Sequence, residues 1–176
     1  ILFFRMLLLF VMILTTQTFY GQTIVQIGFG NNSPATTLYA PVYRYSNNST
    51  TLDCRSNIRF TAAELTAAGI NNGDIITALG YNKLTADSFI IPANYTILMA
   101  NTNNSGTLTG TIATQWASIL TTHSVVYANN AFNLPNVAGW MTIVLNTPFV
   151  YTGGAIEIAT DLVMTGNGGA TGAFKF

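Results

Sequence analysis

The chain predicts an all-β fold, an antiparallel β-sandwich of jelly-roll or fibronectin-like kind with one short helix near residues 62–68. Three observations carry this reading. Short runs rich in Val, Ile, Thr and Tyr recur at close spacing, separated by Asn, Gly and Pro turn signals. Only one segment carries both a helix start and a helix stop signal. The 10–15-residue helical patterns that alternate with strands in a parallel α/β sheet do not occur. Of the 176 residues, 49% are hydrophobic and 7% charged, so there is ample apolar surface to bury and disorder is excluded.

Residues 1–21 open with one base, Arg5, followed by an apolar run over residues 6–14 and then small and polar residues. That is the layout of a secretory signal peptide, and the run is short of the roughly 20 apolar residues a spanning helix needs. Cleavage is expected before Gln22. A competing reading keeps the apolar segment as an anchor or assembly helix. The sandwich domain is expected over residues 22–170. Residues 171–176, TGAFKF, read as the start of a truncated continuation.

TIVQIGFG, residues 23–30, alternates as a first strand, and NNSP ends it. Residues 36–45, TTLYAPVYRY, place Leu38, Ala40 and Val42, with Arg44 continuing their register, on one face and Tyr39, Pro41, Tyr43 and Tyr45 on the other. Pro41 removes a ladder donor, which assigns the run to an edge or a bulge. TLDCRSNIRF reads as an irregular strand pair or extended segment. The helix follows: Thr61 and Glu64 form a capping box, and Gly69 stands where a left-handed residue ends the helix.

DIITALGY, residues 74–81, alternates as a strand, and residues 88–101 hold one or two more around Pro92. Residues 111–120 read as a loop with a helical turn that carries Trp116. A strand is expected over residues 123–128, with a turn at Asn129-Asn130 and a short continuation. In WMTIVLN, Met141, Ile143 and Leu145 share a uniformly apolar face that points to the core, while Trp140, Thr142, Val144 and Asn146 share the other. Were the Trp140 ring instead in the core, removing it would cost about 3–5 kcal/mol. In AIEIATDLV, Ile156, Ile158 and Thr160 point one way, and Glu157, Ala159 and Asp161 occupy a wet face.

Six acids balance six bases, so there is no electrostatic footprint for nucleic acid or for an anionic membrane surface. One histidine, His123, supplies no two-His metal site, and no G-x-S-x-G elbow marks a nucleophile. Glu64 is a cap, and Glu157 and Asp161 sit on a strand face, which leaves no evident glycosidase pair. NNGD at residues 71–74 has too few oxygens for a dedicated calcium loop. No metal, cofactor or catalytic residue is therefore expected. The single cysteine, Cys54, reads as a small buried apolar residue. Exposed aromatics are the usual platforms for a sugar's apolar face, which nominates Tyr39, Tyr43, Tyr45 and Trp116 for ligand binding. The competing role for the same rings is to fill the core or to pad a domain contact.

QTIVQIGFGNNS, PVYRY, FTAAELTAAGI leading into DIITALGYN, NYTILMANTN, TQW and GWMTIVLNTPFVYTGGAIEIATD occur in that order. With them the chain resembles, from Gln22 to about Gly169, the N-terminal β-sandwich module of large secreted cell-surface proteins of Bacteroidetes. Many of those carry a C-terminal sorting domain for type IX secretion. The resemblance implies export, a multidomain parent often bearing fibronectin type III-like repeats, and roles in adhesion, matrix or polymer binding. It carries over no catalytic residue.

The expected function is thus a non-catalytic extracellular module, structural or adhesive, or binding a glycan or protein. Its expected partners are neighbouring domains of the same chain and an extracellular glycan or protein, with no membrane contact after signal cleavage. The alternatives are an accessory domain of a secreted hydrolase, and an anchored or self-assembling subunit that keeps its apolar N-terminus.

Overall fold

A computed structural model describes residues 22–27, 41, 53–86, 88–103 and 110–164. Among these residues lie six strands and two helices: β1 Asp53–Phe60, α1 Ala62–Ala67, β2 Ile75–Lys83, β3 Ala93–Thr102, α2 Ile112–Thr122, β4 Ser124–Phe132, β5 Gly139–Val150 and β6 Ala155–Met164. The strands form a four-stranded antiparallel sheet in the order β1-β6-β3-β4 and a two-stranded antiparallel sheet, β2-β5. Four of the five connections between successive strands pass from one sheet to the other, so the two layers are stitched together as the chain advances. This is an all-β, sandwich-like arrangement, as the alternating runs predict.

The core lies between the sheets and follows the period-two alternation of their strands. From the four-stranded sheet it receives Tyr95, Ile97 and Met99 of β3, and Ile156, Ile158 and Leu162 of β6. From the smaller sheet it receives Met141, Ile143 and Leu145 of β5, the face expected to be inward. Trp140 and Val144 alternate outward and are 61% and 69% exposed. The indole is therefore no core ring, and no cavity cost attaches to its removal. Aromatic side chains close one end of the sandwich: the Tyr95 and Phe132 rings stack at 4.5 Å, with Phe89 and Tyr127 edge-on to Phe132 at 6.3 Å.

α1 forms where its signals place it. Thr61 Oγ1 accepts from the Glu64 N–H at 3.3 Å, and Glu64 Oε2 accepts from the Thr61 N–H at 2.7 Å, which completes the capping box. At the other end the Ile70 N–H donates to the Leu65 carbonyl and the Gly69 N–H to that of Thr66, with Gly69 at φ +89°. This paired closure brings Leu65 and Ile70 together as buried neighbours, so the cap also anchors the helix to the core.

Several expectations are corrected. β1 is one regular strand, paired residue for residue with β6 from Asp53↔Val163 to Phe60↔Ile156. Residues 22–27 lie outside any strand, though Gln22 Nε2 donates to Thr77 Oγ1 at 2.7 Å. Of residues 36–45 only Pro41 is described; it is buried, and its carbonyl accepts from the Tyr95 hydroxyl at 3.0 Å. Residues 112–122 form a full helix rather than a loop with one turn. β4 runs straight through Asn129-Asn130, because two register shifts against β3 absorb the irregularity and Asn129 Oδ1 accepts from the Ala131 N–H. The signal-peptide reading of residues 1–21 and the continuation at 171–176 fall outside the described residues.

The passage from β5 to β6 is a tightly bonded corner. Tyr151 accepts from the Gly73 N–H, donates its own N–H to the Asp74 carbonyl, and its hydroxyl donates to the Gly154 carbonyl at 2.6 Å. Asn101 brackets the same corner, with Nδ2 donating to the Val150 carbonyl and Oδ1 accepting from the Thr152 N–H, both at 3.0 Å. Gly154 has φ +78°, and a Cβ there would lie 2.6 Å from the Thr102 carbonyl oxygen. Both facts demand glycine. Gly154→Ala is expected to destabilise the fold by more than about 1 kcal/mol, since the native backbone is closed to alanine. A denaturant midpoint equal to that of the unmodified chain would overturn this account of the corner.

Candidate functional site

Two arginines and two carboxylates meet on the outer face of the four-stranded sheet. β1 presents Arg55 and Arg59 four residues apart, and β6 presents Glu157 and Asp161 four residues apart. The antiparallel register sets Arg59 opposite Glu157 and Arg55 opposite Asp161. Arg59 Nε donates to Glu157 Oε1 at 2.8 Å, and its Nη2 contacts the same oxygen. Asn57 Nδ2 reaches Glu157 Oε2 at 3.4 Å. Arg55 Nε donates to Asp161 Oδ1 at 3.1 Å on the more open side.

α2 covers this face. Thr111 caps its start, accepting from the Thr114 N–H at 3.3 Å. The i, i+3 pair Trp116 and Ile119 packs with Leu98 of β3 and Ala159 of β6 in a second, smaller core. The Arg55 guanidinium carbon stands 4.8 Å from the Trp116 ring centre. As a result β6 is buried on both faces. Glu157 is only 6% exposed and Ala159 is fully buried, so the wet face expected for Glu157, Ala159 and Asp161 is corrected: a helix lies over it.

His123 ends α2, with its N–H donating to the Ile119 carbonyl. Its Nε2 lies 3.2 Å from Glu157 Oε2 but without the alignment of a hydrogen bond, and its Nδ1 is 2.9 Å from Thr122 Oγ1. Burial holds the imidazole below its ordinary pKa, and the nearby Glu157 carboxylate offsets this only in part. Asn57 Oδ1 is buried without a hydrogen-bond partner. The cluster therefore couples β1, β6 and the α2–β4 junction. With Glu157 turned toward Arg59 and Asn57 and closed from solvent, it acts as a clamp between elements rather than as an acid or base presented to a substrate.

The nominated ligand platforms fare differently. Tyr39, Tyr43 and Tyr45 lie outside the described residues. Trp116 is 8% exposed, held between α2, the sheet and Arg55, so its ring is a packing element with no open face. Burial and the Asp161 charge push the Cys54 thiol above its ordinary pKa, which makes it a poor nucleophile. Lys83 is buried, its ammonium donating to the Pro135 carbonyl, and so fastens the β4–β5 loop. Among the described residues no group of three or more His, Cys, Asp or Glu is placed to hold a metal ion, and no helix is long and apolar enough to cross a membrane.

Sequence reasoning set Trp140 on an outward face but did not nominate it as a platform. Trp140 leans over Gly80, where an added Cβ would meet the ring at 3.5 Å, and stands opposite Asn82 in the ladder. The signal was the glycine at position 80, which leaves room for a cross-strand ring.

Two outcomes follow from the clamp. Glu157→Ala removes the carboxylate facing the mostly buried Arg59 and should cost about 3–5 kcal/mol in urea unfolding. A cost below about 1 kcal/mol would mean the pair is effectively solvated. The lowered pKa of His123 means that the unfolded chain binds its proton more readily than the folded one. The stability tied to neutral His123 is present above the ordinary histidine value of about 6.5 and is lost as the pH falls below it. Thermal unfolding from pH 7.5 downward should show this decline, and His123→Asn should flatten it in that window.

No known protein family, curated protein or solved structure matches this chain.

Proposed function

We propose that the chain is an exported, non-catalytic β-sandwich module of a cell-surface protein that holds or displays its neighbours and binds an extracellular glycan or protein. The observation that carries the reading is the division of its surface chemistry. Four of the twelve exposed large apolar side chains among the described residues lie on the outer face of the β2-β5 sheet: Ile75, Trp140, Val144 and Val150. Four acids are drawn into structural pairs: Glu64 in a cap, Asp74 in a turn with Asn71, Glu157 and Asp161 on arginines. A surface that offers contacts while these four carboxylates are committed to the fold suits recognition better than proton transfer. Export rests on the signal-like layout of residues 1–21 and on the resemblance to secreted surface modules of Bacteroidetes.

The test is to locate the protein in the producing cell and read its mature N-terminus by mass spectrometry. A surface or extracellular protein beginning at or near Gln22 is expected. A cell-associated protein that retains residues 6–14 would overturn the reading in favour of an anchored or self-assembling subunit.

A further inference from the structure

We propose that the outer face of the β2-β5 sheet is a binding strip for a neutral polysaccharide, with Trp140 as its stacking platform. This rests on the recognition role proposed above and assigns it a place and a ligand class. The strip is built from residues that face each other across the ladder: Asn82 opposite Trp140, Gly80 opposite Thr142, and Ala78 opposite Val144. The indole rests against Gly80, which holds it over the sheet, and it remains 61% exposed. Most of a large apolar ring thus lies over the sheet and open to solvent.

Charge decides the class of partner. Across β2 and β5 the only ionisable side chain apart from the tyrosine is Lys83, which is buried and turned inward to Pro135. The strip therefore offers nothing to a phosphate backbone or an acidic peptide, and it lacks the arginines that anchor protein interfaces. It offers an aromatic face for the C–H side of a pyranose ring, flanked by the Asn82 amide and the Thr142 hydroxyl for the sugar's hydroxyl groups. From Trp140 to Val144 the strip runs about 14 Å at the rise of an antiparallel strand, a length suited to an oligosaccharide stretch rather than to a single sugar.

The chain has two tryptophans, and Trp116 is buried, so exposed-tryptophan fluorescence reports on Trp140. The experiment is affinity electrophoresis of the full chain through gels containing soluble xylan, mixed-linkage β-glucan, galactomannan or starch, and pull-down on amorphous cellulose and chitin. Fluorescence quenching by acrylamide is read alongside. Retention by at least one of these is expected, with protection of Trp140 from acrylamide in its presence. Trp140→Ala should lower the retention at least tenfold and Asn82→Ala several-fold, both at an unchanged Tm.

No retention on any of the six polysaccharides would overturn the proposal, as would retention that survives Trp140→Ala. A monomer–dimer equilibrium in sedimentation velocity that Val144→Asp abolishes, without polysaccharide retention, would reassign the strip to self-association. Each of these outcomes leaves the location and N-terminus of the mature protein unchanged, so failure of the strip is distinguishable from failure of the export reading.

Discussion

Everything in this fold depends on the burial of β6 from both sides. The strand is covered on one face by the β2-β5 sheet and on the other by α2, yet its sequence places Glu157 in the covered stretch. A lone carboxylate closed from water is too costly to keep, so partners must be supplied. Arg59 on the neighbouring strand does this, with Asn57 beside it, and that fixes the β1–β6 register to the residue. A one-residue slip would move Arg59 to the inner face and strand the charge. Polar pairing here specifies alignment more than it adds stability, because a well-packed apolar pair in the same space can serve as well or better.

The clamp and the corner divide the labour of holding two sheets together. The Glu157 cluster ties two strands of one sheet to the end of its covering helix. The Tyr151 corner ties the sheets to each other, since Tyr151 bonds to residues 73 and 74 ahead of β2 while Asn101 of β3 reaches residues 150 and 152. A third tie runs along the edges: the Asn146 side chain of β5 accepts from the Ala128 N–H of β4 at 2.7 Å. That bond satisfies an edge amide that would otherwise face outward. Each tie uses an uncharged or neutralised group, in keeping with a chain whose polarity comes from Asn and Thr.

Local signals in the sequence proved sufficient for the helix cap and for strand alternation, though not for the turn read at Asn129-Asn130, which lies inside β4. The capping box at Thr61 and Glu64, the left-handed Gly69, and the alternation in WMTIVLN each depend on residues within a few positions of one another. α2 was less visible because its Thr and Ile residues are weak helix formers; Trp116 and Ile119 stabilise it only by docking on Leu98 and Ala159. Without that helix β6 reads as half-wet, which is why Glu157 and Asp161 looked solvent-facing. The clamp itself was present as two bases and two acids, each pair four residues apart. Only the knowledge that β1 lies beside β6 turns that coincidence into ion pairs. Trp140 was legible as outward-facing, but not as a ring seated on Gly80, because that contact crosses between strands.

The pairing of β1 with β6 has a consequence for how the protein comes into being. Asp53 lies opposite Val163, so the first and last described strands of the larger sheet are immediate neighbours. As the chain is synthesised, β1 and β3 both wait for β6, the strand that lies between them. Until it emerges, the larger sheet has no middle and the core has no floor. Such a chain assembles late and nearly all at once, because contacts between distant residues bring no reward until the intervening loops close. Its apolar strands need protection until β6 has emerged, for longer than in a protein built from neighbouring hairpins.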